Sequence, residues 1–190
     1  MKNIWEIHRI ADRKGKLSYQ IFEIYDLEVS KSFFNKIKNH PNIYVVTTIP
    51  KSIENYSMAN TCQYLESPLV KPIELDKSLS RLRFSMSALI RVRYEDNICL
   101  LIEKSQIKPI GGSFHYKKKP SFKDITFDKE HSKDLRFTVN ISEVENVLSW
   151  WENCTDERET SPLRELKEEL ILENDIVTLE EFNKEFKDLL

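Results

Sequence analysis

An α/β fold is what this 190-residue sequence predicts, and three observations carry the prediction. Short β-rich runs flank turns in both halves of the chain, and segments with helical spacing lie between or after them. The texture also changes near residue 80, after Pro68 and Pro72, so a linker at 66–78 separates a small α/β segment (1–78) from a larger domain (79–190).

The elements follow in order. "IWEIHRI" and "LSYQIFEIY" flank the charged turn "ADRKGK" around Gly15, which reads as a hairpin. "EVSKSFFNKIKNH" places Val29, Phe33, Phe34 and Ile37 at helical spacing and stops at Pro41, and "NIYVVTTI" reads as a buried strand. "SIENYSMANTCQYL" is read as helical. Alternation over Phe84–Tyr94, the turn "EDN" and the run Ile98–Ile102 make a strand turning into a second, which runs toward Pro109 and the pair Gly111–Gly112. Residues 117–133 read as a Lys-rich loop, "DLRFTVN" as a strand, and "SEVENVLSWWEN" as an amphipathic helix starting at Ser142. The last two predicted helices are 161–172, with Ser161 as cap and Pro162 in the first turn, and a C-terminal one spaced by Leu179, Phe182, Phe186 and Leu190.

Composition narrows the function. With 29 basic against 31 acidic residues, the chain lacks the positive field of a general nucleic-acid binder, so no nucleic-acid polymer is expected as partner. Three widely spaced cysteines, with Cys99 in an apolar run, suit reduced thiols better than a disulfide framework or a zinc knuckle. Apolar runs fall short of the roughly 18 residues a membrane span needs. The expected setting is the cytoplasm, with no membrane partner.

The chemistry concentrates in "SPLRELKEELIL", residues 161–172. At helical pitch Glu165, Glu168 and Glu169 share one sector beside an apolar stripe of Leu163, Leu166 and Leu170. Crowded carboxylates repel one another, and a divalent cation relieves that repulsion while taking the oxygen ligands it prefers. Arg164, four residues before Glu168, has the spacing to orient that carboxylate as an ion pair. A solvated acidic edge is the plainer reading of the same run.

The order of a strand, "PIGG" and then an "RExxEE" helix resembles a Nudix domain, with Arg164, Glu165, Leu166, Glu168, Glu169 and Leu172 matching its box. Ile171 stands where the box has its second glycine, Trp150 where it has the first, and Asp156 where it has the upstream glutamate. "LRFSMSALIRVRYEDNICLLIEKSQIKPIGGSFHY", "DLRFTVNISEVENVLSWWEN" and "RETSPLRELKEEL" together resemble the SMODS-associated Nudix branch, which accompanies the nucleotidyltransferases of CBASS-type bacterial anti-phage systems.

This resemblance implies an α/β/α sandwich with a mixed sheet. It also implies a pyrophosphohydrolase using Mg2+ or Mn2+, with Glu165, Glu168 and Glu169 as metal and catalytic groups and Arg164 orienting a glutamate. Gly111 and Gly112 would let backbone approach the helix or a phosphate, and Lys117, in the run Lys117–Lys119, is a candidate phosphate contact. His115, alternating with Phe114 and Tyr116, is a further candidate to reach a base or phosphate, and at most one of the adjacent Trp150 and Trp151 is a candidate to stack a nucleobase. The C-terminus is short for such a sandwich. Either the N-terminal segment completes the sheet, or a second subunit does in a homo-oligomer, or the domain is a shortened form without catalysis. Two functions therefore compete: hydrolysis of a nucleoside diphosphate-linked or signalling nucleotide, and non-catalytic sensing of a cyclic oligonucleotide. A scaffold kept only for interaction is a third.

Overall fold

The structure, a computed structural model, describes residues 4–11, 17–47, 79–104 and 106–189. The segment 52–65, the linker 66–78 and the turn around Gly15 lie outside the described residues. Strands β1 (Ile4–Ala11) and β2 (Leu17–Glu28) pair antiparallel, from Ile4 opposite Ile24 to Ala11 opposite Leu17, as the hairpin reading expects. Helix α1 (Lys31–Ile37) follows, its N-terminus capped by the Ser30 hydroxyl, which accepts the Phe33 N–H at 3.2 Å. Next comes strand β3 (Ile43–Val46).

The organising element is β4 (Arg81–Tyr94), a 14-residue strand. Along one edge it pairs parallel with β2, from Ser18 opposite Arg83 to Glu28 opposite Arg93. Along the other edge it meets three antiparallel partners: β5 (Asn97–Glu103), β7 (Ile110–Ser113) and β9 (Arg136–Asn140). Short β6 (Gln106–Lys108) and β3 add to β5, and β8 (Thr126–Phe127) adds to β9. The result is a mixed nine-stranded sheet in which the N-terminal strands and the later ones are directly hydrogen-bonded. β8 shows that the Lys-rich stretch 117–133 is not all loop.

Four α-helices among the described residues complete the α/β architecture. Besides α1 they are α2 (Val144–Asn153), α3 (Leu163–Lys167) and α4 (Leu179–Glu185). A 3-10 turn, Ile141–Glu143, precedes α2, so the α-helix begins two residues after Ser142 and the capping side chain is Asn140. Thr178 and Glu181 form a reciprocal capping box at α4. Phe182 of α4 and Phe186, which caps its C-terminus, are buried whereas Leu179 faces solvent, so the apolar face is narrower than its spacing suggests. No helix among the described residues is long and apolar enough to cross a membrane.

Alternation along β4 assigns its core. Leu82, Phe84, Met86, Ala88, Ile90 and Val92 point one way. The first four pack with Phe114, Phe137 and α2, including Val147, Trp150 and Trp151; Ile90 and Val92 pack with α1, Leu166, Leu170 and α4. Leu89 points the other way and joins Phe22, Ile24, Val46 and Leu100 in a smaller cluster. Cys99 is buried, and burial pushes its thiol up to about 12, which suits an inert core cysteine.

The predicted continuous helix 161–172 is corrected in one respect: α3 runs only over Leu163–Lys167, and Glu168–Glu173 form a π-helical turn. The Leu170 carbonyl accepts from Ile176 N–H at 2.8 Å and Val177 N–H at 3.2 Å, which closes this wide turn. Wide turns of this kind are rare and cluster at functional sites.

Candidate functional site

β7 and α3 bring the glycine pair against the glutamates. Gly111 has φ +137°, a region L side chains rarely adopt, and a Cβ there would stand 2.1 Å from the Ala88 carbonyl oxygen. That glycine is demanded by strand pairing. Gly112 is different: a Cβ there would stand 2.1 Å from Oε2 of Glu165. The missing side chain is the space in which the Glu165 carboxyl lies. The backbone does approach the helix, and what it approaches is this carboxyl.

Arg164 is the hub. Its Nη1 donates to Glu168 at 2.7 Å, the i,i+4 pair the spacing predicts. Nη2 donates to Glu165 at 2.7 Å and to the Ser113 carbonyl of β7 at 2.7 Å, and Nε and Nη2 grip Glu159 at 2.8 and 2.9 Å. Burial works against the guanidinium charge, but the three carboxylates outweigh it and hold Arg164 above its ordinary value. Glu159 is also fixed by His115 N–H at 2.9 Å; against the cost of burial, Arg164 and that N–H hold it below the usual carboxylate range.

The glutamates do not form the open edge that helical pitch suggests. The side chains of Glu165 and Glu169 are 10 % and 6 % exposed, and of the three carboxylates that of Glu168 alone, at 35 %, meets solvent appreciably. Burial, opposed by Arg164 and reinforced by Glu168 and Glu169, lifts Glu165 from 4.5 to about 7. Glu169 turns away from Arg164: its Oε1 takes the Lys108 ammonium at 3.0 Å. Lys108, shared with Glu103 at 2.8 Å, is held charged in spite of burial, whereas burial raises Glu169 in spite of the ammonium. The two partners thus move in the same direction, and desolvation of Glu169 explains it.

Among the described residues no three His, Cys, Asp or Glu side chains are gathered as a metal-binding group. The donor set explains why it does not fit a divalent cation as arranged. Glu159, Glu165 and Glu168 already converge on a guanidinium, and Glu169 is drawn off to an ammonium.

Other candidates separate from this cluster. Lys117 has an exposed side chain, and its backbone N–H donates to the Glu157 carbonyl at 2.7 Å; among the described contacts its ammonium meets none of the three glutamates. Lys118 pairs with Glu157, and Lys119 lies 5.0 Å over the Phe127 ring. His115 Nε2 is 3.2 Å from Asp134. Trp150 and Trp151 are both core residues: the first donates to Glu157 at 2.9 Å, and the second carries the Arg158 guanidinium at 3.6 Å.

Sequence reasoning gave no role to Glu159, Lys108, Arg158, Glu23 or Tyr25. Asp156, in the box's upstream position by spacing, is exposed, and Glu159 grips Arg164 instead. Arg158 is buried; it donates to Glu23 of β2 at 3.0 Å, to the Trp151 carbonyl at 3.0 Å and to the Glu159 carbonyl at 2.9 Å. The Tyr25 hydroxyl donates to the other Glu23 oxygen, and burial first, then that carboxylate, raises its pKa far above the ordinary tyrosine value.

A family model described as the SMODS-associated NUDIX domain matches residues 81–188. The chain belongs to that family. The match begins at β4 and takes in the glycine pair, the Arg164 cluster and the π turn. Nudix membership suggests a nucleotide-related hydrolase or effector, and Nudix domains generally use divalent metal ions. No match to the chain was found among curated proteins or among solved structures.

Proposed function

We propose that this Nudix protein binds a phosphate-bearing nucleotide beside the Arg164 cluster and hydrolyses a nucleoside diphosphate-linked or signalling nucleotide in a CBASS-type bacterial anti-phage system. The observation that carries the hydrolytic reading is Glu165, a buried carboxyl that titrates at about 7 against Arg164. A group poised near neutrality both accepts and returns protons efficiently. Arg164 orients Glu165 and Glu168, and Lys117 is retained as a phosphate contact through its exposed side chain. Mg2+ or Mn2+ is the cofactor expected in turnover from family membership; no step is assigned to it, because the carboxylates as arranged are engaged by Arg164 and Lys108. The proposed setting is the cytoplasm, with a nucleotide or cyclic oligonucleotide as ligand, no nucleic-acid polymer or membrane partner, and a homo-oligomer as one assembly.

One observation favours a second reading, a non-catalytic cyclic-oligonucleotide sensor. Four carboxylates are paired internally with two cations, so each has a counter-ion supplied by the protein itself. Titration with cyclic di- and trinucleotides and with linear nucleoside diphosphate derivatives, with and without Mg2+ or Mn2+, separates the two when binding heat and products are both followed. Turnover that disappears in Glu168→Gln/Glu169→Gln supports the hydrolase. Tight binding without turnover, unchanged in that variant, supports the sensor, and neither binding nor turnover across the panel defeats both.

A further inference from the structure

Glu169 is the glutamate that Arg164 does not hold, and both of its oxygens are engaged. Oε1 takes the Lys108 ammonium at 3.0 Å, and Oε2 lies 3.3 Å from Asn174 Nδ2, which also donates to the Glu169 carbonyl at 2.8 Å. The Asn174 amide is itself oriented, since Asn42 Nδ2 donates to its oxygen at 3.3 Å, leaving the nitrogen to face Glu169. Lys108 is fixed from the strand side. It ends β6, opposite Leu101 of β5, and its ammonium bridges to Glu103 Oε2 at 2.8 Å.

We propose that Lys108 is the resident cation of this site: its ammonium occupies the carboxylate that family resemblance would hand to a metal, and divalent ions reach Glu169 only when Lys108 leaves it. The physical reason is competition. A divalent ion needs carboxylate oxygen at roughly 2.0–2.6 Å, and it cannot take that place beside an ammonium that already claims the same atom and repels it. Removing one partner of a buried pair leaves the other uncompensated, so a chain lacking Lys108 has a Glu169 that seeks another cation. The inference concerns cation access alone, and it stands whether the nucleotide is turned over or only bound.

The test uses Mn2+ alone on the full chain at pH 8, read by calorimetry and by the electron-spin-resonance signal of free Mn2+. Lys108→Met is expected to bind Mn2+ at least about tenfold more tightly than wild type, and Lys108→Met/Glu169→Gln to lose that gain. Equal affinity in wild type and Lys108→Met overturns the proposal, as does a gain that survives Glu169→Gln. Should Lys108→Met fail to fold by circular dichroism, wild type and Glu169→Gln decide. Mn2+ affinity that falls at least about tenfold in Glu169→Gln shows that the ion already takes this carboxylate beside Lys108 and overturns the proposal, and equal affinity in the two supports it.

Discussion

Replacing Glu165 by Gln removes a buried titrating group while keeping its shape and an oxygen for Arg164, and the result can be worked out from the shift. The carboxyl is lifted from 4.5 to about 7, first by burial. Between those values the folded chain holds a proton that the unfolded chain has released. Glu165 therefore costs stability progressively as pH rises through that window, and the full cost is present above it. At about 1.4 kcal/mol per pKa unit, wild type should lose about 2.5 kcal/mol from this group between pH 5 and pH 8. The amide does not ionise, so Glu165→Gln is expected to gain that amount relative to wild type over the same interval. Urea unfolding followed by tryptophan fluorescence at half-unit pH steps measures the difference, and groups that do not interact with Glu165 cancel. A difference that stays constant within about 0.5 kcal/mol from pH 5 to 8 would refute the assigned burial and the catalytic poise drawn from it.

Two further perturbations probe the supports of the site. Gly111→Ala drives a methyl into the Ala88 carbonyl and forces a positive φ on alanine, so it should abolish folding or cost more than about 4 kcal/mol by urea denaturation. Gly112→Ala meets only the movable end of Glu165 and should cost about 1–2 kcal/mol while its carboxyl titration, read by carbon NMR, falls toward the ordinary range; equal costs at the two glycines would contradict the distinction. Arg158→Met strands the Glu23 carboxylate in the interior and should cost about 3–5 kcal/mol, with at least half recovered in Arg158→Met/Glu23→Gln. An unimproved double variant would show that Arg158 acts through Trp151 rather than through Glu23.

Local elements were legible where local physics decides them. Val29, Phe33, Phe34 and Ile37 announced α1, the "EDN" turn announced the β4–β5 hairpin, and the Arg164–Glu168 pair followed from helical spacing alone. The π turn was not legible, because Glu168–Glu173 contains only ordinary helix-compatible residues and the wide turn is closed by Ile176 and Val177 from beyond it. Lys108, Glu159 and Glu23 escaped for a different reason. Each is an unremarkable charge in sequence, and its role comes from a partner on another element, such as Glu23 on β2 against Arg158 far along the chain. Gly112 was legible as a close approach, but that the approaching group is Glu165 required the β7–α3 packing.

The parallel pairing of β2 with β4 bears on when this site comes into being. Partners there are about 65 residues apart, as Asp26 and Arg91 are, and contacts so distant in sequence close late because chain entropy must be lost before they form. Glu23 and Tyr25 travel on β2, so Arg158 lacks its buried counter-ion until that strand docks, and Glu159 hangs on the next peptide of the same segment. The carboxylate cluster is thus expected to be completed late in folding, when the N-terminal strand docks; pulse-labelled hydrogen exchange should show protection of β2 and β4 arising together and after α2 and α4.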